Sequence, residues 1–304
     1  MCIRDRDRIY VGNIPGTGVD ALAGVGVCAP IVTLLSSFGT LFGIGGSVLF
    51  SVRLGAGYEK GARRLLANSF AWMLIVSVVL TAVFLLTKDA LLNWFGASGV
   101  TFPYADSYMT IYTAGTVFAL LSMGMNYFIT AQGFPVLGMT TTLIGAVINI
   151  VLDPVFIFLF DMGVAGAAVA TVIAQMSSCA FVLLTLRRKK MRVPLGLAKP
   201  ELSAGMRIVK IGFSPFLILA TDSIIIIALN AVLQHYGGRE YGDTLITAAT
   251  IVQSYMLLIT SPMLGITGGS QPLISYNYGA NRPDRIRKTF FWVLVLCVCF
   301  TSVM

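Results

Sequence analysis

Long stretches of this sequence contain no charged residue, and they constrain its fold more than any other feature. Four of them cover residues 21–52, 65–86, 162–186 and 244–281. A helix of roughly 20 apolar residues crosses the hydrocarbon core of a bilayer, and a helix satisfies its own backbone hydrogen bonds in lipid. Charged residues make up only 11% of the chain, against about 25% in a typical soluble domain. We therefore predict an all-α, polytopic membrane protein.

Glycine, proline and charged residues divide the chain into about seven full transmembrane helices and two partial ones. The full spans are predicted at 21–51, 64–86, 104–130, 138–160, 164–186, 205–234 and 244–271. A helix stub ends near Gly12, and a last partial span begins at Thr289. We expect the sequence to be a fragment that is truncated at both ends.

The basic residues alternate between rich and poor loops. The loops at 53–64, 187–207 and 282–288 carry four, seven and four Lys or Arg, whereas the loops around Lys88 and Arg239 carry one each. The rich loops lie an even number of spans apart, which is the positive-inside pattern. It places them in the cytoplasm. Because the net charge of +8 is confined to such loops, we do not expect nucleic acid as a partner.

Two of the basic loops resemble each other. Ser51 to Arg64 and Ser275 to Lys288 share four identical residues at matched positions, namely Ser, Gly, Ala and Arg. Each follows a glycine-rich span, and six spans separate them. Chance similarity between two cytoplasmic turns would explain the match as well, but the position favours a parallel repeat about an axis normal to the membrane.

Polar residues inside a span are costly and are therefore candidate sites. Asn149 and Asp153 are four residues apart and share one helix face, and Pro154 follows them. The small residues of the next helix allow close approach, which would bring Thr171 to a similar depth. A carboxylate, an amide oxygen and a hydroxyl suit Na⁺, or a proton on the aspartate. Alternatively, this set only pins two helices together.

Asp222 is the other acidic residue in the middle of a span. It lies between Thr221 and Ser223. It could contact a substrate or a coupling ion, and an equally good interpretation is a hydrogen bond to backbone freed by Pro215. We interpret Asp106, near the outer end of a helix, as structural.

The segment from Asn149 to Pro154, together with residues 163–171, resembles the multidrug and toxic compound extrusion (MATE) family. The turns 54–57 and 276–280 and the segment 7–12 add to the resemblance, which covers essentially the whole chain. Members of this family have two lobes of six helices each and export organic cations and other amphiphilic compounds in exchange for Na⁺ or H⁺.

The resemblance implies a MATE-like two-lobe helical bundle. The N-terminal lobe would cover 1–187, a cytoplasmic linker 188–204, and a partial C-terminal lobe 205–304. Carried over residue by residue, Asp7, Asn149, Asp153 and Thr171 match the family's cation site. Asp222 lies near an acidic position that some members carry on helix seven. Its expected role is to contact the substrate or to act as the acidic residue of the second lobe.

The function implied is secondary active multidrug efflux by alternating access, in the cell membrane. The expected substrates are small drug-like molecules, with Na⁺ or H⁺ as the coupling ion, no other metal or cofactor, and a monomer in the lipid bilayer. A flippase for lipid-linked precursors, of the same superfold, is the alternative and should show a more basic cavity. A channel or a membrane enzyme is a third hypothesis. We expect no enzyme, because a single histidine without a metal or nucleophile cluster is poor material for catalysis.

Overall fold

The computed structural model describes residues 10–303, apart from a number of side chains between positions 227 and 258. The described part of the chain consists of helices and their connections, without a strand. The helices are α1 (Gly18–Gly55), α2 (Glu59–Trp94), α3 (Phe102–Ala114), α4 (Thr116–Ala131), α5 (Pro135–Pro154), a π-helical turn (Val155–Leu159), α6 (Gly163–Arg187), α7 (Leu202–Gly279) and α8 (Pro283–Val303).

The helices confirm the all-α membrane architecture. Among the described residues, six helices are long and apolar enough to cross a membrane, and a bent pair of helices brings the total to seven. Many large apolar side chains face outwards, for example Val78 and Val79 on α2. Such surfaces suit lipid rather than water. Helix α1 lies in the centre and packs on α2, α3, α4 and α7.

The span predicted at 104–130 is wrong as a single helix. It consists of α3 and α4, which meet at Gly115 with a bend of 55°. A β-carbon on Gly115 would collide with the side chain of Val172 on α6, so the backbone at the bend lies directly against the neighbouring helix. The bend thus coincides with a close contact to a helix distant in sequence, and sequence periodicity encodes neither.

Helix α7 contains both of the spans predicted at 205–234 and 244–271. A straight helix of 78 residues would be about 117 Å long. Yet Gly212, near its start, packs against Leu41 of α1, and Gly279, at its end, packs against Val52 of the same helix. These two positions on α1 are about 17 Å apart along a helix. The chain of α7 must therefore double back between its two ends, as two membrane spans require.

The repeated segments adopt the same turn. The N–H of Ala56 donates to the carbonyl of Val52 at 3.0 Å, and the matched N–H of Ala280 donates to the carbonyl of Tyr276 at 2.9 Å. One residue later, Gly57 has φ +75°, and its counterpart Asn281 has φ +52°. Both lie in the left-handed region that glycine and asparagine tolerate best. The sequence match between these loops thus corresponds to a shared backbone conformation.

The two turns also contact each other as a symmetric pair. The backbone of Gly55 lies against the carbonyl of Tyr276, and the backbone of the matched Gly279 lies against the carbonyl of Val52, the counterpart of Tyr276. Reciprocal contacts between matched residues are the signature of a two-fold axis. This is the geometry predicted for a parallel repeat. The division into lobes at 187 and 205 remains a prediction.

Candidate cation site

Helix α5 has its polar face inside and its apolar face outside. Leu143, Val147 and Val151 are 52%, 57% and 57% exposed, whereas Asn149 and Asp153 are 0% exposed. In a water-soluble protein this pattern would be inverted. It fits a helix whose outer face contacts lipid and whose polar side chains face the interior of the bundle. The environment of the helix therefore directs both polar residues inwards.

The structure brings together three of the four residues expected at the site. The side-chain Nδ2 of Asn149 donates to Oδ1 of Asp153 at 3.0 Å and to Oγ1 of Thr171 at 3.3 Å. Thr171, on α6, is 2% exposed. A carboxylate, an amide and a hydroxyl thus form one connected and buried group between neighbouring helices. The side chains lie on facing surfaces, as the four-residue spacing predicts.

Close packing of α5 on α6 holds this group in place. Gly166 of α6 lies directly against the backbone of the π-helical turn, since a β-carbon there would be 2.7 Å from the carbonyl oxygen of Phe156. Further along, Oγ of Ser178 donates to the carbonyl of Thr141 at 3.2 Å. These contacts lock the two helices in one register. Small residues on α6 make the approach possible.

The π-helical turn and the Ser178 contact are features that the sequence reasoning missed. Pro154 has no N–H to donate to the preceding turn, and the helix widens directly after it, over residues 155–159. Widened turns of this kind often occur at functional sites. The proline next to Asp153 is a sequence signal for a local irregularity of the helix. The contact of Ser178 has no such signal, because a lone serine in an apolar helix usually forms a hydrogen bond with its own backbone.

The chemistry of the group favours a small hard cation or a proton. The amide oxygen Oδ1 of Asn149 accepts no hydrogen bond from the residues that the structure describes, because the amide nitrogen faces Asp153. Carboxylate, amide and hydroxyl oxygens are the ligands that hard cations prefer. A buried carboxylate can also hold a proton, since burial disfavours its charged form. The site therefore offers buried oxygen ligands, in surroundings where an unpaired charge is costly.

The structure does not place the other candidate residues in this group. Asp7 falls outside the described residues. Asp222 is exposed on α7 and lines an open cleft of about 540 Å³ with Lys210 and Ser214, apart from the Asn149 group. Asp106, interpreted as structural, pairs with Lys88 between α2 and α3. The proposed roles of Asp7 and Asp222 stay predictions.

The bundle and its buried polar group together define a multi-pass helical membrane protein with polar side chains enclosed between its helices. Comparison with known families agrees. The family model MatE matches residues 7–155 and 218–304. Because these ranges cover more than half of the chain, the chain belongs to the MatE family.

Curated relatives of this chain are multidrug exporters by name. It is 29% identical over 293 residues to the multidrug export protein MepA of Staphylococcus haemolyticus, an alignment that covers 93% of this chain and 63% of that protein. The MepA of Staphylococcus aureus (strain NCTC 8325 / PS 47) is 28% identical over 291 residues, with the same coverage. The chain therefore spans about 63% of the length of these relatives.

Solved structures share the fold. The MATE multidrug transporter DinF-BH in complex with R6G superposes with a TM-score of 0.88 at 31% identity, over 98% of this chain and 66% of that one. A MATE structure in complex with MaD3S gives a TM-score of 0.87 at 23% identity, over 100% of this chain and 68% of that one. At 23% identity, the second match supports a shared fold and nothing further. These matches confirm the MATE-like helical bundle.

Proposed function

We propose that the protein is a secondary active multidrug efflux transporter of the cell membrane, and that a cation bound at Asn149, Asp153 and Thr171 drives export. The relatives named above are described as multidrug exporters, which supports the substrate class of small drug-like molecules. Neither relative is described as a flippase, and the flippase alternative gains no support. We likewise propose a transporter rather than an enzyme.

The observation that carries the proposal is a carboxylate, an amide and a hydroxyl that are buried together between lipid-facing helices. Burial of polar groups costs free energy, and polar groups retained inside membrane spans commonly mark ion or substrate pathways. A coupling ion, Na⁺ or H⁺, would occupy the group in one step of the cycle and leave it in another. Asp7, which by resemblance matches an acidic residue of the family's first helix, would complete the set.

Alternating access between two lobes is the mechanism that the contacts favour. The ends of α1 and α7 pack backbone to backbone at Gly55 and Gly279, next to the basic loops that are predicted to be cytoplasmic. We call this contact between α1 and α7 the seam, and it is closed on that side. Rocking of the two lobes against each other around a central site would open it and close the opposite side. Binding of the cation would shift this equilibrium by its difference in affinity for the two states.

Export from liposomes tests the proposal. The full-length protein is reconstituted, and efflux of a fluorescent organic cation is followed under a Na⁺ gradient and, separately, under a pH gradient. In the Asp153→Asn variant we expect efflux to fall to the level of protein-free liposomes, because the neutral amide neither binds a proton nor balances Na⁺. The control Asp89→Asn removes a surface carboxylate whose side chain is 71% exposed and should export normally.

Two results would count against the proposal. Wild-type efflux by Asp153→Asn, with normal insertion, would show that this carboxylate does not couple an ion to export. Equal wild-type efflux with and without both gradients would exclude secondary active transport.

A further inference from the structure

The connection between α6 and α7, residues 188–201, packs on the N-terminal helices in its middle part and at its last residue. Met191, Val193 and Leu195 are buried. The backbone N–H of Val193 donates to Oε1 of Gln132 at 2.9 Å, and that of Leu195 donates to the carbonyl of Leu186 at 2.8 Å. A flexible tether would bury few side chains and would leave its backbone to water. This connection is instead part of the packed surface.

Its last residue, Glu201, is held by three successive turns of α2. The buried Asn68 accepts the backbone N–H of Glu201 at 2.7 Å through Oδ1. The indole of Trp72 donates to the carbonyl of Glu201 at 3.1 Å, and Nε of Arg64 donates to its carboxylate at 2.7 Å. Backbone donor, backbone acceptor and side chain are all bound to one helix. Residue 201 must therefore move together with α2.

Arg192, on the same connection, reaches both halves of the molecule. Its Nε donates to Oε1 of Glu59, at the start of α2, at 3.1 Å, and its Nη1 donates to the hydroxyl of Tyr276, near the end of α7, at 3.4 Å. Tyr276 also supplies the carbonyl that lies against Gly55 in the symmetric contact of the repeats. Arg192 thus spans the seam at the point where α7 closes on α1.

We propose that the connection 188–201 is a fixed part of the N-terminal lobe and that Arg192 is a latch on the cytoplasmic side of the transporter. The contact of Arg192 with Glu59 lies within one lobe and persists through the cycle. Its contact with Tyr276 crosses between the lobes and forms only while the cytoplasmic side is closed. The hinge then lies beyond Glu201, in the first turns of α7. The latch rests on the proposed two-lobe function.

Spin-label distances in the full-length protein test this latch. The native cysteines are replaced, one label is placed at Lys189→Cys on the connection and the other at Asp284→Cys on α8, and the distance distribution is recorded in nanodiscs. The contact of Arg192 with Tyr276 is a single exposed hydrogen bond, which contributes little, so we expect Arg192→Ala to raise the ratio of cytoplasm-open to cytoplasm-closed molecules by about two- to fivefold. Tyr276→Phe, which removes only the hydroxyl, should do the same, and the double variant should add little.

A matched control and a second label pair sharpen the test. Arg188→Ala removes the same charge from a residue that forms no ion pair with any described residue, and it should leave the ratio unchanged. Labels at Lys60→Cys and Lys199→Cys should give one distance in both states, because the connection moves with α2.

The outcomes separate the latch from the proposed function. Two distance populations in the wild type, with an unchanged ratio in Arg192→Ala and Tyr276→Phe, would overturn the latch alone. A distance between positions 60 and 199 that differs between the states would overturn the fixed connection. A single population in every variant and condition would overturn the latch together with the two-state cycle.

Discussion

Replacement of Gly212 by alanine should destabilise the protein at the seam between α1 and α7. A β-carbon at this position would lie 2.7 Å from the carbonyl carbon of Leu41, whereas ordinary contacts begin near 3.4 Å. The two helices would have to separate by about 0.7 Å or more. The neighbour is backbone, so no side chain can rotate away, and overpacking of this kind costs about 1–3 kcal/mol.

A glycine-to-alanine substitution in an open part of the same helix should instead stabilise the protein. A β-carbon on Gly265 meets nothing within 4 Å. There, alanine only reduces the backbone entropy of the unfolded chain and should gain roughly 0.5–1 kcal/mol. Gly265→Ala is therefore a matched control, because the chemical change and the helix are the same and only the contact differs.

Thermal unfolding in detergent, followed by size-exclusion chromatography with fluorescence detection, measures both variants. We expect Gly212→Ala to lower Tm by roughly 2–10 °C, from the cost above and a few degrees per kcal/mol. Gly265→Ala should leave Tm unchanged or raise it slightly. A Tm for Gly212→Ala at or above that of the wild type would refute the close backbone contact.

Two more predictions concern the contact of Glu201 with α2. Asn68→Ala should cost about 1–3 kcal/mol in thermal unfolding, because it removes the acceptor for the N–H of Glu201, while the exposed Asn93→Ala should stay within about 0.5 kcal/mol; equal stability of the two variants would count against the contact. The hydrogen bond from Arg64 holds the pKa of Glu201 below its ordinary value of 4.5. A carboxylate with a lowered pKa stabilises the fold fully above that ordinary value and loses its contribution only as the pH falls through the lowered one. The distance between labels at positions 60 and 199 should therefore be constant from pH 8 to pH 5 and change only in stronger acid, and a change near neutral pH would contradict this.

The membrane spans and the polar pair on α5 could be predicted from sequence because the signals are local. A long uncharged run by itself predicts a membrane span. A four-residue spacing places Asn149 and Asp153 on one face of any helix. Thr171 could be added because the short connection between α5 and α6 makes them neighbours, and small residues allow close approach. The repeat was visible because matched turns need similar residues, such as Gly57 and Asn281 at positive φ.

The features that were missed depend on partners far along the chain. The bend at Gly115 lies against Val172 of a distant helix, and glycine occurs in straight membrane helices as well. The anchoring of Glu201 requires Asn68 and Trp72, which lie inside a run that reads as lipid-facing. Local patterns carry no information about such contacts, because each residue alone is compatible with several environments.

Binding of the coupling ion is the most direct test of the buried oxygen group between α5 and α6. Equilibrium binding of ²²Na⁺, and proton uptake in a weakly buffered solution, are measured on the purified full-length protein and on Asp153→Asn. We predict saturable binding of one of the two ions by the wild type and none by Asp153→Asn. Equal binding by both proteins would contradict the assignment of the cation site.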